Sequence, residues 1–139
     1  MKISVVVADF YADIAEALLR SCTDALAAEG ITVARVARVP GAMEIPFALK
    51  TVAEEFLNTP DAMVALGCVI RGETYHFQTV ADVCARGILQ VQMQKNIPIG
   101  NGVLTVETMA QARAHIGNGA WAARAAAHLA KLAGRGDTR

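Results

Sequence analysis

Four groups in this chain are chemically suggestive, and three of them stand where an apolar run ends. His76 is the first: an imidazole titrates near neutrality and suits proton transfer, although a His at a helix start also serves as a cap or a plain surface residue. Just before it, Gly72-Glu73-Thr74 offers backbone N–H groups at the mouth of a helix. Such a segment can hold a phosphate, or it can be an ordinary turn with Thr74 as N-cap. Glu44 is a carboxylate that can bind hydroxyls, or an acid that complements a helix dipole in its first turn. Phe10 can stack on a flat ring or join the core. Cys68 lies among apolar residues and reads as structural, not as a nucleophile. His115 and His128 fall on the last helices and read as solvated. The chain contains neither G-x-x-x-x-G-K-[ST] nor G-x-G-x-x-G, and no C-x-x-C or His/Cys cluster points to a metal.

These groups need a scaffold, and the pattern of apolar residues supplies one. Ile3 to Ala8 is β-branched and apolar, which predicts a buried strand. Ile14, Leu18, Cys22 and Leu26 follow at helical spacing, ending at Gly30 as a C-cap. Residues 31–39 read as a second strand whose arginines place it near a sheet edge. Glu44-Ile45-Pro46 opens a second helix, with Phe47, Leu49, Val52, Ala53 and Phe56 on its buried side. Ala62 to Ile70 carries no charge and reads as a strand buried on both faces. A helix follows with Val80, Cys84, Ile88 and Val91 inward. Residues 96–106 predict a fourth strand interrupted by Gly100-Asn101-Gly102. Residues 107–116 predict a short helix, broken by Gly117-Asn118-Gly119. Trp121, Ala125, Leu129 and Leu132 mark a last helix, and residues 134–139 a polar tail. This alternation predicts a single α/β domain over residues 1–139: a three-layer α/β/α sandwich on a four-stranded parallel sheet, flavodoxin-like in kind. Parallel strands bring the loops carrying Phe10, Glu44 and His76 to one edge of the sheet, where open α/β sheets bind ligands.

Composition narrows the function classes. The 139 residues are 54% hydrophobic and 19% charged, with thirteen Lys+Arg against thirteen Asp+Glu. That balance marks the chain as neither a nucleic-acid nor a membrane binder. The apolar excess suggests surface buried in an assembly, with abundant Ala as the alternative explanation. Cys22, Cys68 and Cys84 are an odd number in apolar segments, which suits reduced thiols in the cytoplasm. The apolar run after Met1-Lys2 is too short for a signal peptide, and no run is long enough to span a bilayer.

Two segments resemble a known family. Val39-Pro40-Gly41-Ala42-Met43-Glu44-Ile45-Pro46 and Ala65-Leu66-Gly67-Cys68-Val69-Ile70-Arg71-Gly72-Glu73-Thr74-Tyr75-His76-Phe77 are similar to the signatures of the lumazine synthases. Ala85-Arg86-Gly87-Ile88 and Gly102-Val103-Leu104-Thr105 extend the resemblance, which follows the order of elements to the last helix. It implies the riboflavin-pathway condensation of 5-amino-6-(D-ribitylamino)uracil with 3,4-dihydroxy-2-butanone 4-phosphate, without cofactor or metal. It assigns Phe10 to stacking on the pyrimidine, and Gly41, Ala42 and Glu44 to the ribityl chain. Val69 and Ile70 fall to the pyrimidine edge, Gly72, Glu73 and Thr74 to phosphate, and His76 to the general base. It also implies a homopentamer, or a multiple of one, whose sites lie between subunits. The neighbour then contributes substrate-binding positions at Asn101 and His115. Both depart from the family pattern: Asn101 stands in place of a Phe, and His115 in place of the Arg that holds phosphate. Arg113, two residues earlier, faces nearly the opposite way on a helix. The connection at Gly117-Asn118-Gly119 is shorter than the family norm and lacks its lysine. A raised KM for the phosphate substrate is the expected consequence.

Overall fold

The computed structural model describes residues 1–136; the end of the polar tail, 137–139, lies outside the described residues. Four strands form one parallel sheet: β1 (Ile3–Ala8), β2 (Val33–Val39), β3 (Ala62–Ile70) and β4 (Ile99–Val106), in spatial order β2-β1-β3-β4. The helices are α1 (Ala12–Ala28), α2 (Ile45–Ala53), α3 (Phe77–Lys95), α4 (Met109–Ala114) and α5 (Asn118–Leu132). The expected three-layer sandwich is what forms.

Side-chain alternation along the central strands builds both layers of core. Ile3, Val5 and Val7 of β1, with Ala62, Val64, Leu66, Cys68 and Ile70 of β3, face α1, α4 and α5. Val6, Ala8, Met63, Ala65 and Val69 face α2 and α3 on the other side. Every residue of β1 and β3 is therefore buried, and this two-sided burial explains their unbroken apolar runs. Strand β2 has only one neighbour, and its arginines reach out from that edge to pair with Glu55 and Glu16. Helix α1 buries Ile14, Leu18, Cys22 and Leu26 as its spacing predicts, and Gly30 follows it at φ +75°.

Several expectations change. Helix α2 buries Ile45, Leu49, Val52 and Ala53, whereas Phe47 and Phe56 are 74% and 93% exposed. The inward positions recur at i, i+4, i+7 and i+8, and Phe47, two residues from Ile45, falls on the outer face. Strand β4 runs without interruption from Ile99 to Val106, and Asn96 instead ends α3 in the left-handed region. Helix α4 covers only six residues.

The last helix presents the opposite face from the expected one. Its buried residues are Gly119, Ala122, Ala123, Ala126, Ala127 and Ala130, while Trp121 is 70% exposed and Leu132 also points outward. Both stripes have helical period, so size decides between them. A Cβ on Gly100 of β4 would lie 1.9 Å from the carbonyl oxygen of Ala122, and one on Gly119 would lie 2.3 Å from that of Leu18 in α1. Backbone meets backbone there, and only Ala and Gly fit. Gly100 and Gly119, read from the sequence as parts of breaks, are residues that let α5 dock on β4 and α1. A hydrogen bond from the Ala120 N–H to Ser21 Oγ (3.0 Å) pins the start of α5 to α1.

Candidate active site

Chain connections reverse direction about β1: β2 lies on one side of it and β3 on the other. Such a reversal leaves a crevice beyond the carboxyl ends of the two strands. A cavity of about 430 Å³ lies there. The loop after β1 contributes Phe10 and Tyr11, the loop after β2 contributes Pro40 through Glu44, and the end of β3 with its loop contributes Cys68, Val69, Glu73, Thr74 and Tyr75. Three separate loops thus converge, as the parallel arrangement requires.

Local bonding fixes each wall. The Asp9 N–H donates to the Val39 carbonyl (3.0 Å), which ties the end of β1 to that of β2. Phe10 packs edge-to-face on Tyr11, with ring centroids 5.0 Å apart, and leaves 72% of its surface open. An exposed ring on a fixed stem is a platform for stacking. Residues Ala42–Glu44 form a single 3-10 turn, closed by the Glu44 N–H donating to the Gly41 carbonyl (3.1 Å). The turn buries Ala42 and folds the Glu44 carboxylate back over Gly41, 3.1 Å from where a Cβ would sit.

The floor is the end of β3. Val69 is buried among α2 and α3 residues and still lines the cavity. Ile70 faces the opposite core layer and does not line the cavity. Burial pushes the Cys68 thiol up to about 11, and the Glu73 carboxylate adds to the effect. A thiol held neutral in this way is inert, as its apolar flanks predict. Cys22 and Cys84 are likewise free and buried, raised by burial to about 12 and about 11.

His76 sits at the rim. Its backbone is left-handed (φ +61°, ψ +40°), unusual for a residue with a side chain and a form of local strain that concentrates at functional sites. It occupies the position before α3, the place expected for Thr74, but its side chain makes no capping bond. The imidazole instead lies against Tyr75, ring centroids 3.9 Å apart, and is exposed. With no side-chain cap, the first-turn amides of α3 remain open to an anion.

Of the sequence-predicted residues, Phe10, Gly41, Ala42, Glu44, Val69, Glu73 and Thr74 line one cavity. Ile70, Gly72 and His76 flank it. Asn101 and His115 do not line it within one chain. Asn101 is exposed in mid-β4, and its side-chain oxygen accepts from the Val103 N–H (3.0 Å). His115 ends α4, with Nδ1 2.7 Å from the Gln111 carbonyl oxygen. Tyr11, Pro40, Met43, Tyr75 and Val80 also line the cavity. Adjacency to Phe10, Gly41, Glu44 and His76 signalled the first four. Val80 was read only as a core position of α3. Among the described residues no group of three or more His, Cys, Asp or Glu is arranged to hold a metal.

Comparison with known proteins joins this geometry. The family model for 6,7-dimethyl-8-ribityllumazine synthase matches residues 1–134. The 6,7-dimethyl-8-ribityllumazine synthase of Azorhizobium caulinodans is 46% identical over 97% of this chain and 88% of its own length. That of Nitrosomonas europaea is 45% identical over 94% and 80%, and that of Paracidovorax citrulli 42% over 95% and 86%. Both signature segments that line the cavity fall within the matched region, and the chain belongs to the 6,7-dimethyl-8-ribityllumazine synthase family.

Proposed function

We propose that this chain, as one domain, catalyses the condensation of 5-amino-6-(D-ribitylamino)uracil with 3,4-dihydroxy-2-butanone 4-phosphate to 6,7-dimethyl-8-ribityllumazine, releasing phosphate and water. The observation that carries the reading is the family match over residues 1–134, together with a cavity built from both signature segments. The chemistry is imine formation, loss of phosphate and ring closure. It needs two substrates held together, an anion hold and one modest acid–base group, with no cofactor or metal. Phe10 stacks on the pyrimidine while the backbone of Val69 and Ile70 reads its edge. Gly41, Ala42 and Glu44 hold the ribityl chain. Gly72, Glu73 and Thr74, with the open amides of α3, hold phosphate. His76 moves the proton. Substrates are small molecules, and the working form is a cytoplasmic homo-oligomer, a pentamer or a multiple of one, in which Asn101 and His115 face a neighbour's cavity. Exposed Phe10, Phe47, Phe56, Trp121 and Leu132 support assembly, and the three free cysteines support a reducing compartment.

A second reading rests on Asn101 and His115: a pentameric protein that binds lumazine or flavin and catalyses weakly. One assay separates the two. Purified protein is mixed with both substrates and the lumazine product followed by absorbance. A rate well above the spontaneous condensation, with a raised KM for the phosphate substrate, is expected. A rate no better than spontaneous, with tight lumazine or riboflavin binding, overturns the enzyme reading.

A further inference from the structure

The loop between β3 and α3 carries the proposed phosphate and proton groups, yet little inside it holds its shape. Among the described residues no side chain of 72–76 makes a hydrogen bond, and every residue of that stretch except the half-buried Thr74 is exposed. Its backbone is tied near its start, where the Gly72 N–H donates to the Glu107 carbonyl (3.3 Å) and the Glu73 N–H to that of Ile70 (3.1 Å), and again at His76, whose carbonyl accepts from the Val80 N–H (3.1 Å) as α3 begins. The loop's two ends, however, meet. Arg71, at the end of β3, places its guanidinium 4.5 Å from the ring centroid of Phe77, the first residue of α3. The same guanidinium donates through Nε to the Glu107 carboxylate (2.8 Å to Oε2). Glu107 is itself held, its N–H donating to Gln111 Oε1 (2.7 Å), while the Gln111 N–H donates to Thr108 Oγ1 (3.1 Å). One side chain thus closes the loop on itself and fastens it to the start of α4.

We propose that Arg71, gripped by Glu107 and stacked on Phe77, is a positioning residue that sets the 72–76 loop for the phosphate-bearing substrate. The inference rests on the function proposed above. Arg71 and Glu107 are both about half exposed, with side-chain exposures of 48% and 57%, and an exposed ion pair adds little to stability. Its effect therefore shows in loop order and substrate handling, not in global unfolding. A planar, forked cation suits the task, because it bonds a carboxylate and stacks flat on a ring at once; Lys, a compact point charge, does both less well.

The test compares Arg71→Ala, Glu107→Ala, the double variant and Arg71→Lys. Each alanine variant should raise KM for the phosphate-bearing ketone about tenfold, and the double should be no worse than the worse single, because both remove one shared interaction. KM for the pyrimidine and the unfolding temperature should stay near wild type, and Arg71→Lys should fall between. Hydrogen exchange at the amides of 72–76 should quicken in both single variants while β3 and the body of α3 keep their protection. If Glu107→Ala leaves KM unchanged or lowers it while Arg71→Ala raises it, Arg71 binds phosphate directly and the proposal fails. Unchanged loop exchange in both variants also overturns it. A wild-type protein with no rate above background refutes the functional reading alone, and loop exchange then decides the clamp by itself.

Discussion

At the residue scale, His76 combines a titratable ring with a backbone that side chains seldom adopt. The left-handed turn lets the chain leave β3, cross the cavity mouth and enter α3 while the imidazole stays at the rim beside Tyr75. A His that only capped the helix would accept from a first-turn amide, and this one does not. His76→Ala should lower kcat while product binding persists. A tenfold loss corresponds to about 1.4 kcal/mol of barrier and would mean that holding the substrates together supplies most of the acceleration. Product binding is read by fluorescence titration and kcat by the absorbance assay; an unchanged kcat removes His76 from the chemistry.

At the element scale, the docking of α5 decides the most. Its inner face is Gly and Ala because α1 and β4 come within backbone distance. Gly100→Ala would drive a methyl into the Ala122 carbonyl, and Gly119→Ala into that of Leu18. Neither neighbour is a flexible side-chain end, so the helix itself must shift. Each change should destabilise the fold by about 3 kcal/mol, the upper part of the usual overpacking range. Urea unfolding measures this, and a loss below about 0.5 kcal/mol, typical of a neutral surface change, would mean that α5 moves freely. The legible part of the fold has the same logic. Strands β1 and β3 announce themselves because both faces are buried, so every residue must be apolar. Phe47, Phe56, Trp121 and Leu132 mislead because a large apolar residue reads as core whether a protein covers it with its own chain or with another.

At the scale of the whole molecule, those same residues bear on assembly. Large apolar side chains stand exposed on α2, just beyond it, and along the outer stripe of α5. A monomer that leaves so many open gains free energy by burying them, at roughly 25 cal/mol per Å². If the proposed pentameric form is the working one, light scattering should give a mass of five times the chain or a multiple of that. Trp121→Glu should shift the distribution toward smaller species if the α5 stripe lies in a contact. A single-chain mass for the wild type would leave Asn101 and His115 outside any site. It would also remove the reason given for their departure from the family pattern to raise KM.

The sequence by itself determined the order of elements, the parallel sheet, the convergence of three loops on one edge and the family. These follow from burial on both faces of the central strands and from short segments whose residues each have a local task. Only the tertiary structure decided which stripe of α5 turns inward, because two stripes share one helical period and only the closeness of neighbouring backbones tells them apart. It also brought Arg71 onto both Phe77 and Glu107. Glu107 stands 36 residues away along the chain, a separation that no local pattern spans.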